Sequence, residues 1–341
     1  MFLDKKEEKN LQRNRQRKQN RKIKKAKAKY EEVKAKEEKV AKLECVALDY
    51  IKEKESNEKL KEQIKDLTQQ LCKKNYARKK GFTEIRKGHS EYLISKMPAL
   101  CLIDSKVLDV KRTTIGSGAF GTVYAGFLKT IDLPVAVKKS KCTSLIAEAH
   151  VMQASSGHEN FLHFFGCTLD NAIVMQLIQI YDKETLSCYS PTVNRLLSSK
   201  IRCRYNWEDV CKGIINAINY LHRIKIIHND IKEDNILVQT SNGYSVPKLF
   251  DFGKATHSDK PLVYSLSEEL KRKYNLYHRH IAYELRNFNG YKQSFLTDAF
   301  SVGRVFKAIG KTLSNNIILE IASKLKVDNP QQRTFLAEIT L

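Results

Sequence analysis

Asp230, Lys232 and Asn235 share the short stretch Ile227 to Leu237, read IHNDIKEDNIL, and Asp251-Phe252-Gly253 follows closely. A carboxylate, an ammonium group and an amide held on one loop, with a second carboxylate downstream, carry what phosphoryl transfer needs. A hydroxyl attacking phosphorus requires a carboxylate to orient it and take its proton, a cation beside the transferred group, and oxygen ligands for Mg²⁺. Asp230, Lys232, and Asn235 together with Asp251 supply these in that order. The same residue types also make ordinary polar turns, so the elements upstream must decide.

Those elements have clear patterns. Trp207, Val210, Ile214, Ile215, Ile218 and Leu221 recur at helical spacing, which predicts an amphipathic helix leading into the loop. Phe161 to Phe165 and Ile173 to Ile178 read as strands. Farther upstream, Ile115-Gly116-Ser117-Gly118-Ala119-Phe120-Gly121-Thr122-Val123 is G-x-G-x-x-G-x-V between two strand-like runs. Glycines there let backbone amides approach phosphates closely. In dinucleotide-binding folds the third glycine opens a helix, whereas here it leads into the β-prone Thr122-Val123-Tyr124-Ala125. Val135-Ala136-Val137-Lys138 is a third strand. Thr143 or Ser144 is expected to cap a helix carrying Leu145, Ile146, Glu148, Val151 and Met152, with Glu148 mid-helix, either paired with Lys138 or simply on the surface.

In this order the motifs resemble those of a eukaryotic protein kinase, over residues 107–341. The resemblance implies an α+β, two-lobed fold, with a small β-rich lobe over 107–178 and a larger, mainly helical lobe over 179–341. It implies ATP and Mg²⁺ as cofactors and proteins as substrates. Ile115, Gly116, Ser117, Gly118, Ala119, Phe120, Gly121 and Val123 would cover the nucleotide, and Lys138, held by Glu148, would grip its α- and β-phosphates. Asp230 would be the catalytic base and Lys232 would meet the γ-phosphate, with Asn235 and Asp251 binding the metal. Ala136 and Leu237 would enclose the adenine, Met175 would be the gatekeeper, and Gln176, Leu177 and Ile178 the hinge. Met152, Phe164, His228 and Phe252 match the apolar stack linking the lobes of active kinases. Lys232 points to serine and threonine rather than tyrosine as acceptors.

Four departures from the family pattern stand out. Asn229 replaces the arginine that usually pairs with a phosphate on the activation segment, so activity is expected not to depend on phosphorylation of that segment. Ala282-Tyr283-Glu284 replaces A-P-E, with Glu284 still able to meet Arg333. Only ten residues separate Lys138 from Glu148, so the helix should lack its first turn. Asp298 is expected to brace the catalytic loop, but after Lys311 the chain reaches Ile317 almost at once, so a helix that usually helps dock protein substrates is expected to be missing.

The remaining signals concern charge and compartment. The chain has 341 residues and a net charge of +23. Residues 1–90 hold 29 basic and 15 acidic side chains, and 11–30 hold ten Lys or Arg and no acid. We read 1–30 as a basic disordered tail suited to nonspecific polyanion contact, RNA or DNA, or to nuclear targeting. Residues 31–75 read as a long charged helix. Val40, Leu43, Ala47 and Tyr50, then Leu60, Ile64, Leu67 and Leu71, form two coiled-coil seams out of frame with each other. They suggest a homodimer through 40–71 or a solitary helix. Residues 76–106 read as a linker without an assigned role. The eight cysteines form no C-x-x-C pair and suggest reduced thiols. With no secretory leader or transmembrane run, the expected location is intracellular, cytoplasmic or nuclear. The leading reading is a serine/threonine protein kinase; its rival is a pseudokinase that binds nucleotide and signals through its N-terminal helix.

Overall fold

The computed structural model describes residues 88–341 except 119–120, 141–144, 183–186 and 242. The expected basic tail, charged helix and coiled-coil seams lie outside the described residues, as do Ala119, Phe120, Thr143 and Ser144.

Alternating apolar residues build one antiparallel sheet of five strands: β1 (Leu108–Gly118), β2 (Gly121–Leu128), β3 (Leu133–Lys139), β4 (Phe164–Cys167) and β5 (Ala172–Gln176), in the order β1-β2-β3-β5-β4. The bounds of β4 and β5 differ by a few residues from the apolar runs that suggested them, because pairing with a neighbour, not hydrophobicity, ends a strand. The two-residue period of a strand sorts the side chains. Val135, Val137, Ala172 and Val174 pack on one face, while Ala136, Ile173 and Met175 face the main core. Lys138, two residues after Ala136, therefore points to the same side as Ala136, toward a helix. Between β1 and β2, Gly121 has φ +146°, and a Cβ there would collide with the Lys139 carbonyl. Only glycine tolerates that combination.

Two helices precede the second lobe. A helix over 88–95, α1, buries Leu93 to 1% exposure in the main core. After it the chain runs along α2 (Ile146–Ser155), where Gln153 takes the Cys101 amide on its Oε1 (2.6 Å) and donates to the Ala99 carbonyl (2.7 Å). It then pairs with β4, through Ile103 N–H to Cys167 O and Cys167 N–H to Cys101 O, both 2.9 Å. The α2 helix begins at Ile146, so Glu148 sits in its first turn, not mid-helix as the sequence suggested. Leu145 occupies the N-cap, and its amide is satisfied from outside the helix by Asn171 Oδ1 at 2.8 Å.

The second lobe is built around α3 (Trp207–Arg223), where Asn206 caps the start and accepts from the amides of Glu208 and Asp209. All six periodic residues that predicted this helix are buried. A Cβ at Gly213 would lie 2.5 Å from Pro247, so the glycine lets α3 close onto the hairpin of β6 (Ile236–Ser241) and β7 (Tyr244–Leu249). Farther on come α4 (Glu268–Tyr277), α5 (Tyr283–Asn287), α6 (Phe295–Leu313) and α7 (Asn316–Leu325). A capping box between Ser294 and Thr297 starts α6. Only Ser314, at φ +54°, and Asn315, the cap of α7, separate the last two helices. No helix stands between them, as the short spacing predicted.

Candidate active site

The sheet and α2 deliver the first constellation. Lys138 on β3 donates to both oxygens of Glu148 at 2.7 and 2.8 Å and to Asp251 Oδ1 at 2.8 Å. Lys138 and Glu148 are buried. Burial opposes the charge on Lys138, but the carboxylates of Glu148 and Asp251 outweigh it and hold the ammonium above the usual lysine range. Burial pushes the Glu148 carboxyl up. The geometry favours the ionised pair, because both Glu148 oxygens accept short bonds from one ammonium group.

The loop after α3 delivers the second. Asp230 is 2% exposed and its two oxygens are crowded by donors. Lys254 Nζ lies 2.6 Å and His280 Nε2 3.0 Å from Oδ1; Asn235 Nδ2 lies 3.2 Å and Lys232 Nζ 3.3 Å from Oδ2. Burial opposes the charge on Asp230, but the hydrogen bond from His280 and the ammonium groups of Lys254 and Lys232 overcome it and hold the carboxyl well below the usual range. Asn235 also donates to the Asp230 carbonyl at 2.8 Å, which fixes the loop internally. Lys254 and His280 were not anticipated. Lys254 directly follows Asp251-Phe252-Gly253, a position that could have flagged it, whereas His280 lies 50 residues from Asp230 with no spacing signal.

The loop is braced from below. Fully buried Asp298, on α6, accepts from the amide of His228 (2.8 Å) and, on its other oxygen, from the amide of Asn229 (2.9 Å), with His222 Nε2 at 3.1 Å. Glu284 meets Arg333 through two parallel bonds of 2.8 and 2.9 Å, both side chains buried. Asn229 itself sits at φ +66°, in the left-handed region that asparagine tolerates better than most residues. Its Nδ2 approaches the carbonyls of Ile227 and Lys254, each at 3.1 Å, and Thr256 Oγ1 at 3.0 Å. Thr256 in turn donates to Gln293 Oε1 at 3.1 Å. A neutral amide thus ties the catalytic loop directly to the segment that follows Asp251.

That segment is also gripped from outside. His89 on α1 bonds to the Lys260 carbonyl at 2.8 Å, and the ring of Tyr92 packs edge-on against His257 with centroids 5.5 Å apart.

Between the lobes, Ala136, Met175, Ile178 and Leu237 belong to one apolar cluster, with Ile115 and Val123 packed against it. Met175 pairs with Ala136 across β5 and β3. The Gln176 amide is already taken by the His163 carbonyl at 2.8 Å, so its N–H is not free to read a base. Met152, Phe164 and Phe252 are buried together, and the His228 ring lies 5.0 Å from that of Phe252. A Cβ at Gly118 would meet nothing within 4 Å, so internal packing does not require glycine there.

Two carboxylates, an amide oxygen and an ammonium group around an apolar slot form a donor set suited to a nucleotide phosphate chain and a hard cation. Comparison with known proteins agrees. Residues 110–339 match the family described as the protein kinase domain. The chain is 29% identical over 153 residues to a probable serine/threonine-protein kinase, fhkB, of Dictyostelium discoideum, covering 41% of this chain and 12% of that protein. It is 30% identical over 183 residues to the G-type lectin S-receptor-like serine/threonine-protein kinase SD1-13 of Arabidopsis thaliana, covering 49% and 20%. With CES101, a second kinase of that description from the same plant, identity is 28% over 188 residues, covering 52% and 21%. The chain spans about a fifth or less of the length of these relatives.

Proposed function

This chain belongs to the protein kinase family, and we propose that it transfers the γ-phosphate of ATP to serine or threonine hydroxyls of proteins. The observation that carries the reading is the state of Asp230: buried, ionised and aimed by four donors, with Lys138 already joined to Glu148 and Asp251. A decayed site would have no reason to retain both networks.

Each residue then has a task. Asp230 orients the incoming hydroxyl and accepts its proton. Lys232 and Lys254, both in contact with Asp230, place positive charge beside the transferred group. Lys138 binds the α- and β-phosphate oxygens, and the Glu148 ion pair keeps it from swinging away. Asn235 and Asp251 would hold Mg²⁺, which neutralises phosphate charge when bound. Ala136 and Leu237 bound the adenine, with Ile115 and Val123 alongside and Met175 at the back. Hinge recognition by backbone falls to Leu177 and Ile178, because the Gln176 amide is engaged. The amide of Asn229 and α1 replace a phosphate in holding the activation segment, so transfer proceeds without phosphorylation of that segment. Among the described residues no helix is long and apolar enough to cross a membrane.

The test is transfer of labelled γ-phosphate from Mg-ATP to a generic basic protein, comparing the native chain with Asp230→Ala. Loss of a positioned base costs about 10²–10⁴-fold in rate. ATP binding without transfer by either protein would hand the fold to the rival reading, a nucleotide-binding scaffold.

A further inference from the structure

Away from the cleft, four cations converge. Arg279, Arg286, Arg304 and Lys326 line a cavity of about 320 Å³, where Asp328 is the one carboxylate among the lining residues. None of the four makes an ion pair among the described residues. The fold forces this meeting. A Cβ at Gly303 would lie 2.8 Å from Leu325 Cβ and 2.9 Å from the Lys326 amide, so this glycine lets the end of α7 press against α6 and sets Lys326 beside Arg304. Arg286 is buried; its Nε donates to the Ile281 carbonyl at 2.7 Å and one terminal nitrogen donates to Asn275, leaving further donors unspent. Burial, with the like charges of Lys307, Arg304 and Arg286, outweighs the carboxylate of Asp328 and pushes Lys326 below the ordinary lysine value.

Four cations around one carboxylate, Asp328, leave an excess of positive charge in this cavity, and that excess calls for an anion. A single carboxylate would leave most of the charge unmatched, whereas a phosphate monoester brings about −1.5 to −2 at neutral pH and three acceptor oxygens. The cavity's size falls at the lower end of ligand pockets, about 300–1,000 Å³. Its position indicates where the phosphate comes from. Arg279 is the chain neighbour of His280, whose ring touches Asp230 at 3.0 Å, so the segment that reaches Asp230 also supplies one wall of this pocket.

We propose that this pocket binds a phosphoserine or phosphothreonine already present on the protein substrate, close in sequence to the hydroxyl presented to Asp230. This rests on the kinase reading above, but its binding arm can be measured apart from transfer. The probe is a set of labelled peptides with one acceptor serine and one phosphoserine at successive positions on either side, each matched by serine and glutamate versions. Anisotropy titrations use the full chain and its Arg304→Glu and Arg304→Gln variants, with ATP affinity and melting temperature as checks of folding.

Phosphopeptides at one spacing are expected to bind about tenfold or more tightly than their serine counterparts, with Arg304→Glu abolishing the gain and Arg304→Gln reducing it. The matched glutamate peptide is expected to recover only a small part. Equal binding of serine and phosphoserine forms at every spacing would overturn the proposal. So would a phosphopeptide gain that survives Arg304→Glu in a folded protein, or binding to phosphoinositide vesicles without phosphopeptide discrimination. If phosphopeptides bind as expected but none is phosphorylated, the site stands and the catalytic reading fails.

Discussion

Asn229→Ala isolates the join between the catalytic loop and the segment beyond Asp251. Asn229 is 8% exposed, and its two amide hydrogens are shared among the carbonyls of Ile227 and Lys254 and the Thr256 hydroxyl. Alanine removes about two net hydrogen bonds, worth roughly 0.5–1.5 kcal/mol each. It also places a Cβ without polar compensation at φ +66°, for about 1 kcal/mol more. The sum is about 2–4 kcal/mol. For a folded unit of this size each kcal/mol shifts the melting temperature by roughly 2–4 °C, so Asn229→Ala should lower it by about 4–16 °C. Asn229→Gly loses the same bonds without the Cβ and should fall short of that loss by about 1 kcal/mol. Thermal unfolding gives both values, and hydrogen exchange of the amides around Lys254 to Tyr264 locates the loosening. Melting temperatures of both variants within 1 °C of the parent would refute the idea that this amide fastens the segment.

Three further outcomes follow from the geometry. In ¹³C-carboxyl spectra, the Asp230 resonance, assigned by its loss in Asp230→Asn, should show no protonation between pH 7 and 4.5. Because folding depresses this group, its contribution to stability is present above the ordinary carboxyl value and is lost only as acid carries the pH down through the folded value; a midpoint above about 4 would contradict the assignment. Leu93→Ala empties a fully buried site and should cost about 2–5 kcal/mol in urea unfolding, with faster proteolysis near His257; a change under 0.5 kcal/mol would mean that α1 is not part of the core. Glu284→Ala leaves the Arg333 guanidinium buried and unpaired and should cost about 3–5 kcal/mol, whereas Ser265→Ala, at an exposed position, should alter neither stability nor phosphate transfer.

Local rules made much of this legible. Periodicity found α3, and alternation found β3 and put Lys138 on the side facing the core. The order of the motifs singled out Glu148, Asp230, Asn235 and Asp251 before any coordinates. Nothing local marks Thr256, yet its hydroxyl is buried between Asn229 and Gln293. Burial of that kind depends on how two distant loops close, which no local pattern encodes. The same holds for His280 on Asp230, and for Arg279, Arg304 and Lys326, which are scattered in sequence and meet only because Gly303 lets two helices touch. The stretch over 88–106 shows no periodicity long enough to announce a helix, and its contacts lie on partners far along the chain.

The contacts of that stretch also decide how short an autonomous piece of this protein can be. The family match starts at residue 110, but β4 is an edge strand whose outer amide and carbonyl at Cys167 are paired by Cys101 and Ile103. A fragment begun at the family boundary would present that bare edge together with the vacated socket of Leu93. Bare edges recruit strands from other chains, so such a fragment would self-associate through β4, a route closed in the longer chain, where that edge is paired.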